Sequence, residues 1–248
     1  MKSIVVANWK MHPATFREAK KLFEATRRVA EQAKAVSVVV APPALYLREL
    51  AALYRGKRIA FAAQHAHFEV EGAHTGEISM RQMHDAKASY VIIGHAERRA
   101  LGETNDDTRR KVAAALAEKL TPILCVGEST RSAEGTHFGF VREQLRLGLS
   151  DVPDAKISRV IIAYEPVWAI GAEKPMDTRS MHEMAIFIRK TIVERAGPVG
   201  MNVKILYGGA ADETNSRAMH EEGDVNGLLV GRASVDEEKL SALILSLN

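Results

Sequence analysis

The sequence is poor in cysteine and has no long hydrophobic run. Its 248 residues include a single cysteine, Cys125, so no intrachain disulfide is possible and a reducing compartment fits. No apolar stretch approaches the roughly 20 residues that a membrane-spanning helix needs. The apolar run near the N-terminus is too short for a secretion signal. We therefore expect a cytoplasmic protein without a membrane partner.

The sequence also lacks a strong charge of one sign. Its net charge is +3, and the basic residues are scattered among acidic ones. This pattern favours a mixed, solvated surface over a nucleic-acid interface, and it is compatible with a small anionic substrate. Apolar residues make up 46% of the chain, which is ordinary for a globular protein whose core needs no metal or disulfide. The length suits one large domain.

Eight short segments rich in valine and isoleucine recur along the chain. They are apolar almost throughout rather than alternating, which is typical of strands that are covered on both faces. These predicted strands span 4–8, 37–41, 59–63, 90–94, 122–127, 160–165, 203–207 and 227–231.

Amphipathic segments with a helical period follow the strands. The predicted helices span 15–33, 44–54, 79–87, 106–119, 138–149, 180–195, 214–221 and 237–247. We expect N-terminal caps at Ser79, Asp107, Ser180 and Asp236. Eight strand–helix units in strict order predict an α/β fold, a single (β/α)8 barrel over residues 1–248.

An open doubly wound sheet is the rival architecture. It would typically bring a G-x-G-x-x-G fingerprint, and none occurs in the sequence. The one long irregular segment, 64–78, is expected to be functional, because structureless loops of that length are uncommon in compact domains.

In a barrel, the catalytic residues lie just after the carboxyl ends of the strands. Polar or small residues occupy five of these positions: Asn8 and Lys10, His95 and Glu97, Glu165, Gly208–Gly209, and Gly231.

Each of these residues has a functional and an ordinary interpretation. Glu165 ends an apolar strand, where desolvation raises a carboxyl pKa towards that of a general base; it could equally pair with a neighbouring cation. His95 at a helix start would favour the neutral imidazole, which donates to a carbonyl, although a buried structural histidine is common. Lys10 could stabilise an enolate or a phosphate, although most lysines are merely solvated.

Taken together, these residues supply a base, a neutral donor, a cation and a phosphate cradle on one face. The glycines after strands 7 and 8 allow backbone N–H groups to approach an anion. The set suits proton abstraction next to a carbonyl in a phosphorylated substrate.

At this level of detail the sequence strongly resembles the triosephosphate isomerase family. The matching motifs run in order along the whole chain: ANWKM at 7–11, AAQ at 62–64, GAHTGEIS at 72–79, IGHAERR at 93–99, ILCVGE at 123–128, AYEPVWAIG at 163–171, YGGA at 207–210 and LVGRAS at 229–234. The resemblance implies interconversion of D-glyceraldehyde 3-phosphate and dihydroxyacetone phosphate through an enediol(ate), in glycolysis and gluconeogenesis.

The resemblance also implies a role for each catalytic residue. Glu165 would shuttle the proton, and His95 would polarise the carbonyl; this pair of roles is the family's known pattern. Lys10 would stabilise negative charge, Asn8 would position the substrate, and Glu97 would support the lysine and the histidine.

Further implied elements are a phosphate site, a mobile lid and a dimer loop. Backbone N–H groups would bind the phosphate at Gly171, Ala210, Gly231 and Arg232. The lid would span Pro166–Met176, with hinges at Pro166, Val167 and Trp168 and at Lys174, Pro175 and Met176. In the dimer loop at 64–77, which includes Gln64, Thr75 would reach the partner's site in a homodimer.

No metal or organic cofactor is implied. His65 and His67 form an H-x-H pair in the long loop, but the sequence offers no plausible third ligand, so we expect no metal there.

Several positions depart from the family pattern. Serine is usual at Ala96, where its hydroxyl would hold the resting glutamate, and at Ala210, where it would latch the lid. The lid tip reads Ala172-Glu173 instead of small glycine-rich residues, and Arg232 replaces the second glycine of a pair. These changes leave two alternatives open: an isomerase of a longer ketose phosphate such as a tetrulose phosphate, or a non-catalytic barrel scaffold.

Overall fold

The computed structural model describes residues 2–132, 134–169 and 176–248. Eight strands lie within these ranges, and every neighbouring pair is parallel, with β8 also pairing with β1. The predicted closed barrel is therefore confirmed. The strands are β1 (Ser3–Asn8), β2 (Val36–Ala41), β3 (Ile59–Ala63), β4 (Tyr90–Ile93), β5 (Thr121–Val126), β6 (Ile161–Tyr164), β7 (Lys204–Tyr207) and β8 (Gly227–Val230).

Alternate side chains of each strand point into the barrel or out towards the helices. This division explains why the strands are apolar throughout, since both faces are covered. The interior forms its own cluster, which fills the barrel as a packed core and not as a pore. Its buried members are Ile4, Val6, Val39, Ala41, Ala62, Ile92, Ile123, Cys125, Ile161, Ala163, Leu206 and Leu229.

Helices surround the strands and bury their apolar faces against them. All eight predicted helices are present, with ends shifted by a few residues, and a ninth short helix, α4, follows β4. The α-helices of the described ranges are α1 (Phe16–Gln32), α2 (Ala44–Leu53), α3 (Met80–Asp85), α4 (Ala96–Ala100), α5 (Asn105–Ala117), α6 (Thr136–Gly148), α7 (Thr178–Ala196), α8 (Ser216–Glu221) and α9 (Glu237–Ser246). Among the helices so described, none is long and apolar enough to cross a bilayer.

Two of the four predicted helix caps are wrong by three residues. Helix α5 is capped by Thr104, whose hydroxyl accepts the N–H of Asp107, while Asp107 reaches back to the Thr104 N–H in a capping box. Helix α7 is capped by Asp177, which accepts the N–H of Ser180. In both helices the predicted residue is the third residue of the helix, and the residue that caps the helix is the polar one three positions earlier. The other two caps are confirmed: Ser79 and Asp236.

The segment 64–78 is irregular apart from a single bridge between His67 and Ser79. Gln64 anchors its start, because the side-chain amide donates to the carbonyls of Lys10 and Ala41, each at 2.8 Å. Residues 69–77 are exposed.

Candidate functional site

The predicted site residues converge on one cavity at the carboxyl ends of the strands. Its volume is about 240 Å³. Asn8, Lys10, His95 and Glu165 line one end, and residues of the loops that follow β7 and β8 form most of the other end. The wall at that second end includes Gly208, Gly209, Ala210, Ala211, Asp212, Gly231, Arg232, Ala233 and Lys239.

Glu165 continues the alternation of β6, so its side chain shares the interior face with Ile161 and Ala163. The residue is only 2% exposed. Its Oε2 accepts the backbone N–H of Ala96 at 2.8 Å, whereas Oε1 has no hydrogen-bond partner among the described residues. One oxygen of the carboxylate is thus held, and the other is buried without a hydrogen-bond partner in the described part of the chain.

Burial raises the pKa of Glu165 above its ordinary value, and this effect outweighs the opposing attraction of His95 and the hydrogen bond from Ala96. A carboxylate with a raised pKa is a stronger base at neutral pH than an exposed one. Cys125 lies close by in the barrel core, and burial together with the Glu165 carboxylate raises the pKa of its thiol well above the ordinary range.

His95 caps the short helix α4 with its own ring. Its Nδ1 accepts the backbone N–H of Glu97 at 3.2 Å, so in the neutral ring the proton belongs on Nε2. That Nε2 lies 3.2 Å from Oε1 of Glu165, at an angle that does not make a hydrogen bond between them. In that tautomer Nε2 is the donor, and it lies beside the Glu165 oxygen that has no hydrogen-bond partner among the described residues.

Lys10 adopts a left-handed backbone conformation, with φ of +54°. Such a conformation costs free energy for a residue other than glycine and is often found at functional sites. The Asn8 side chain helps to hold it, because Oδ1 accepts the Lys10 N–H at 3.1 Å. Ser234 donates to the Asn8 carbonyl at 2.9 Å, which ties this turn to the segment after β8. The Lys10 ammonium lies 2.5 Å from Glu97 Oε1.

Two glycines lie where the two parts of the cavity wall meet. A Cβ at Gly208 would lie 2.8 Å from Cγ of Glu165, and one at Gly231 would lie 3.1 Å from Cε of Lys10. These glycines allow the backbone to approach the catalytic side chains closely. Ala210 and Arg232 line the same wall, and Arg232 begins a 3₁₀ turn, Arg232–Val235, with its side chain exposed.

The predicted lid is only partly within the described residues. Gly171, Lys174 and Pro175, together with Ala172 and Glu173, lie outside them. Pro166 follows Glu165 directly, and Val167–Ala169 forms a 3₁₀ turn. Met176 is buried.

Sequence analysis missed Glu128, a buried carboxylate beside the first hinge. Tyr164 donates to its Oε1 at 2.8 Å, and Trp168 Nε1 donates to the same oxygen at 2.8 Å. The backbone N–H of Val167 donates to the Glu128 carbonyl at 3.0 Å. Glu128 is the last residue of the ILCVGE motif and follows β5. The rule that functional side chains follow the carboxyl ends of barrel strands therefore applies to it as well.

The histidines of the long loop are not brought into a metal site. His65 is flanked by Glu77, Arg98 and Glu103, and burial lowers its pKa. His67 accepts the Glu69 N–H on Nδ1. In the part of the chain that the structure describes, no three His, Cys, Asp or Glu side chains are grouped so as to hold a metal ion.

A closed parallel barrel with acid–base side chains gathered at the carboxyl ends of its strands defines a (β/α)8-barrel enzyme. Comparison with known proteins identifies which one. The family model described as triosephosphate isomerase matches residues 3–247. The chain is also 40% identical over 237 residues to the triosephosphate isomerase of Coprinopsis cinerea, covering 94% of each protein. The chain therefore belongs to the triosephosphate isomerase family and is an isomerase, as the sequence motifs predicted.

Proposed function

We propose that the protein interconverts D-glyceraldehyde 3-phosphate and dihydroxyacetone phosphate by proton transfer, with Glu165 as the base. The observation that carries this proposal is the pairing of the unengaged Glu165 Oε1 with His95 Nε2, 3.2 Å apart at one end of the cavity. Oε1 removes the proton from one carbon and returns it to the neighbouring carbon. The intermediate is an enediol(ate).

His95 acts as the electrophile. Because its Nδ1 already accepts the Glu97 N–H, the ring donates from Nε2 to the carbonyl oxygen of the substrate. A neutral imidazole polarises the carbonyl without placing a second full charge beside Glu165. Its fixed position as the cap of α4 keeps the donor oriented before the substrate arrives.

Lys10 and Asn8 hold the substrate and stabilise its developing negative charge. The Lys10 ammonium is oriented by Glu97, at 2.5 Å, and by the backbone conformation that Asn8 supports. A preorganised cation stabilises an enediolate without rearranging during the reaction. Glu97 acts through Lys10 and is a supporting residue.

The phosphate occupies the backbone end of the cavity. Its proposed donors are the N–H groups of Gly171, Ala210, Gly231 and Arg232, and the glycines there permit the required close approach. The family's lid, Pro166–Met176, would cover this end and exclude water, which discourages loss of phosphate from the enediolate. The hydrogen bonds of Trp168 and Val167 to Glu128 support a fixed first hinge.

The protein functions as a homodimer, in which the loop 64–77 contacts a second copy of the chain. Three large apolar side chains near this face are strongly exposed: Met11 at 90%, Leu45 at 80% and Leu101 at 77%. They follow β1, β2 and β4, the same side on which Gln64 anchors the loop. Clustered exposed apolar residues mark interaction surfaces. Thr75 would then brace Asn8 and Lys10 of the partner.

Thr75→Arg tests this interface. A bulky cation at an interdigitating position should weaken both association and turnover. Sedimentation velocity and an activity assay at low protein concentration measure the two effects. Ala242→Arg, on the exposed side of α9, is the matched control and should remain dimeric and active. A Thr75→Arg protein that is dimeric and fully active would contradict the proposed loop contact.

We place the protein in the cytoplasm, in glycolysis and gluconeogenesis, as a single barrel domain over residues 1–248. The proposed reaction needs no metal or organic cofactor, because Glu165 and His95 together supply the proton transfers. The proposal draws on the family membership and on the acid–base pair described above.

The decisive experiment is a coupled assay of glyceraldehyde 3-phosphate isomerisation, with Glu165→Gln as control and a tetrulose phosphate assayed alongside. A high kcat/KM for the triose phosphate that the variant abolishes is the expected result. Preference for the tetrulose phosphate would make the substitutions around the cavity changes of specificity. If the protein acts on neither substrate, it is a scaffold and the proposal is wrong.

A further inference from the structure

The guanidinium of Arg99 links the ends of two strands beneath the catalytic cavity. Its Nε donates to the carbonyl of Gly94 at 2.8 Å, and Nη2 donates to the carbonyl of Cys125 at 3.2 Å. Nη1 donates to Oδ1 of Asn105 at 2.7 Å, at the start of α5. The planar fork of arginine thus joins β4, β5 and α5 through one side chain.

Both carbonyls belong to residues next to the proposed catalytic groups. Gly94 directly precedes His95, while Cys125 packs in the barrel core against Glu165. The strand that contains Cys125 also holds the base, because Glu165 N–H donates to the Val126 carbonyl at 2.8 Å. A shift of either carbonyl would therefore displace His95 or Glu165.

Gly94 is shaped to accept this side chain. Its φ of +71° lies in the left-handed region, and a Cβ there would lie 2.9 Å from Nη2 of Arg99. Its N–H is held as well, by Glu103 Oε1 at 3.1 Å. Gly94, the residue before His95, is thus fixed on both sides, by a carboxylate at its N–H and a guanidinium at its carbonyl.

The charge of Arg99 is not neutralised by a contacting carboxylate. Arg98 next to it lies 3.7 Å from Glu103 Oε2, whereas Arg99 forms no ion pair with any residue that the structure describes. Burial lowers the Arg99 pKa, and attraction from Glu103 and Glu165 partly opposes that effect. Arg99 contacts the carbonyl of Cys125, which packs against Glu165, and a cation so near a carboxylate favours its ionised, basic form.

We propose that Arg99 is a positioning residue for the isomerisation: it holds His95 and Glu165 in register through the Gly94 and Cys125 carbonyls, and its charge helps to keep Glu165 ionised. This inference rests on the proposed function of the site. Arg99 does not touch the substrate, so its removal should change kcat and the pH profile more than KM.

The test compares Arg99→Met and Arg99→Lys with the wild type, with Arg146→Met on the exposed face of α6 as the matched control. We expect Arg99→Met to lower kcat about ten-fold or more with KM changed less than about two-fold. The acid limb of its kcat/KM profile should move to higher pH, by roughly half a unit. Arg99→Lys keeps the charge but not the fork, so it should lose kcat while its acid limb stays near that of the wild type.

A second measurement separates failure of this inference from failure of the proposed function. The Glu165 carboxyl is titrated by 13C NMR without substrate, with the signal assigned by its absence in Glu165→Gln. An upward shift of its pKa in Arg99→Met supports the inference even if the wild type does not isomerise triose phosphates. An unchanged titration and unchanged kcat per folded molecule would overturn it. If Arg99→Met does not fold, Arg99→Lys with wild-type kcat overturns it and Arg99→Lys with reduced kcat supports it.

Discussion

The two ends of the catalytic cavity are built from different parts of the chain. At one end, four side chains face the cavity: Asn8, Lys10, His95 and Glu165. At the other, the wall comes from the loops after β7 and β8, where the proposed phosphate donors are backbone N–H groups and a Cβ at Gly208 would collide with Glu165. A substitution changes the functional group of a side chain, whereas a backbone N–H donor remains after most substitutions. The first end should therefore tolerate almost no change and the second end a good deal.

The departures from the family pattern agree with this difference. At Ala96, the expected serine hydroxyl is missing, yet the backbone N–H of the same residue holds Glu165 Oε2 at 2.8 Å. Ala210 and Arg232 line the cavity, and the phosphate donors proposed there are their backbone N–H groups. At all three positions the observed or proposed contact is made by the main chain and not by the altered side chain.

The largest effect is expected at the side-chain end, from Glu165→Asp. Removing one methylene withdraws the carboxylate by about 1 Å, and a displacement of that size costs on the order of 100-fold in rate. Steady-state kinetics should show the loss in kcat, while circular dichroism and thermal melting show an intact fold. Unchanged turnover would mean that Glu165 is not the base.

A smaller effect is expected at the backbone end, from a pair of variants at Arg232. Arg232→Gly keeps the N–H, so KM should change less than about two-fold. Arg232→Pro removes that donor at the first position of the 3₁₀ turn, so KM should rise about ten-fold. Inhibition by inorganic phosphate gives an independent measure of the same donor.

The two Arg232 variants can also show that the backbone N–H of this residue does not bind the phosphate. If glycine and proline weaken binding equally, the arginine side chain is the phosphate ligand, and its backbone N–H is not. If neither changes KM, the phosphate lies elsewhere. In either case the contrast between the two ends would be lost.

The smallest expected effect concerns stability. The pKa of Glu165 is raised by folding, so the neutral carboxyl stabilises the protein at low pH, and this contribution is lost as the pH rises through the folded-state pKa. Relative to the wild type, Glu165→Gln should therefore gain stability as the pH rises above the ordinary pKa of a glutamate, so its advantage in Tm should be larger at neutral pH than at acid pH. Glu183→Gln on α7 is the exposed control. A Tm difference that is independent of pH would contradict the desolvation of Glu165.

Much of the fold followed from local patterns. Runs covered on both faces predicted the eight strands, and the helical period predicted eight helices. Helix α4 was predicted only as a helix start at His95, because its five residues are too few to show a repeated helical period. The sequence predicted Asp107 and Ser180 as caps instead of Thr104 and Asp177, because two polar residues three positions apart are both suitable. Only the backbone conformation determines which of the two precedes the helix.

The sequence predicts which residues form the site, but not which of their atoms contact each other. Strand-end position identified Glu165, His95 and Lys10, because the barrel geometry places such residues together. The Ala96 N–H at Glu165, the Gln64 amide between two carbonyls and the Glu128 cluster depend on groups far apart in sequence. No local pattern encodes those distances.

The hydrogen bond from Trp168 to Glu128 gives the molecule a built-in optical reporter. The chain has only two tryptophans, and Trp9 is fully buried, so its emission should be blue and insensitive to ligands. Trp168 is partly buried in the proposed first hinge of the lid, with the Arg131 guanidinium 5.5 Å from its ring. A ligand that disturbs this hinge would change the red part of the emission alone, so stopped-flow fluorescence could time that motion without any attached dye.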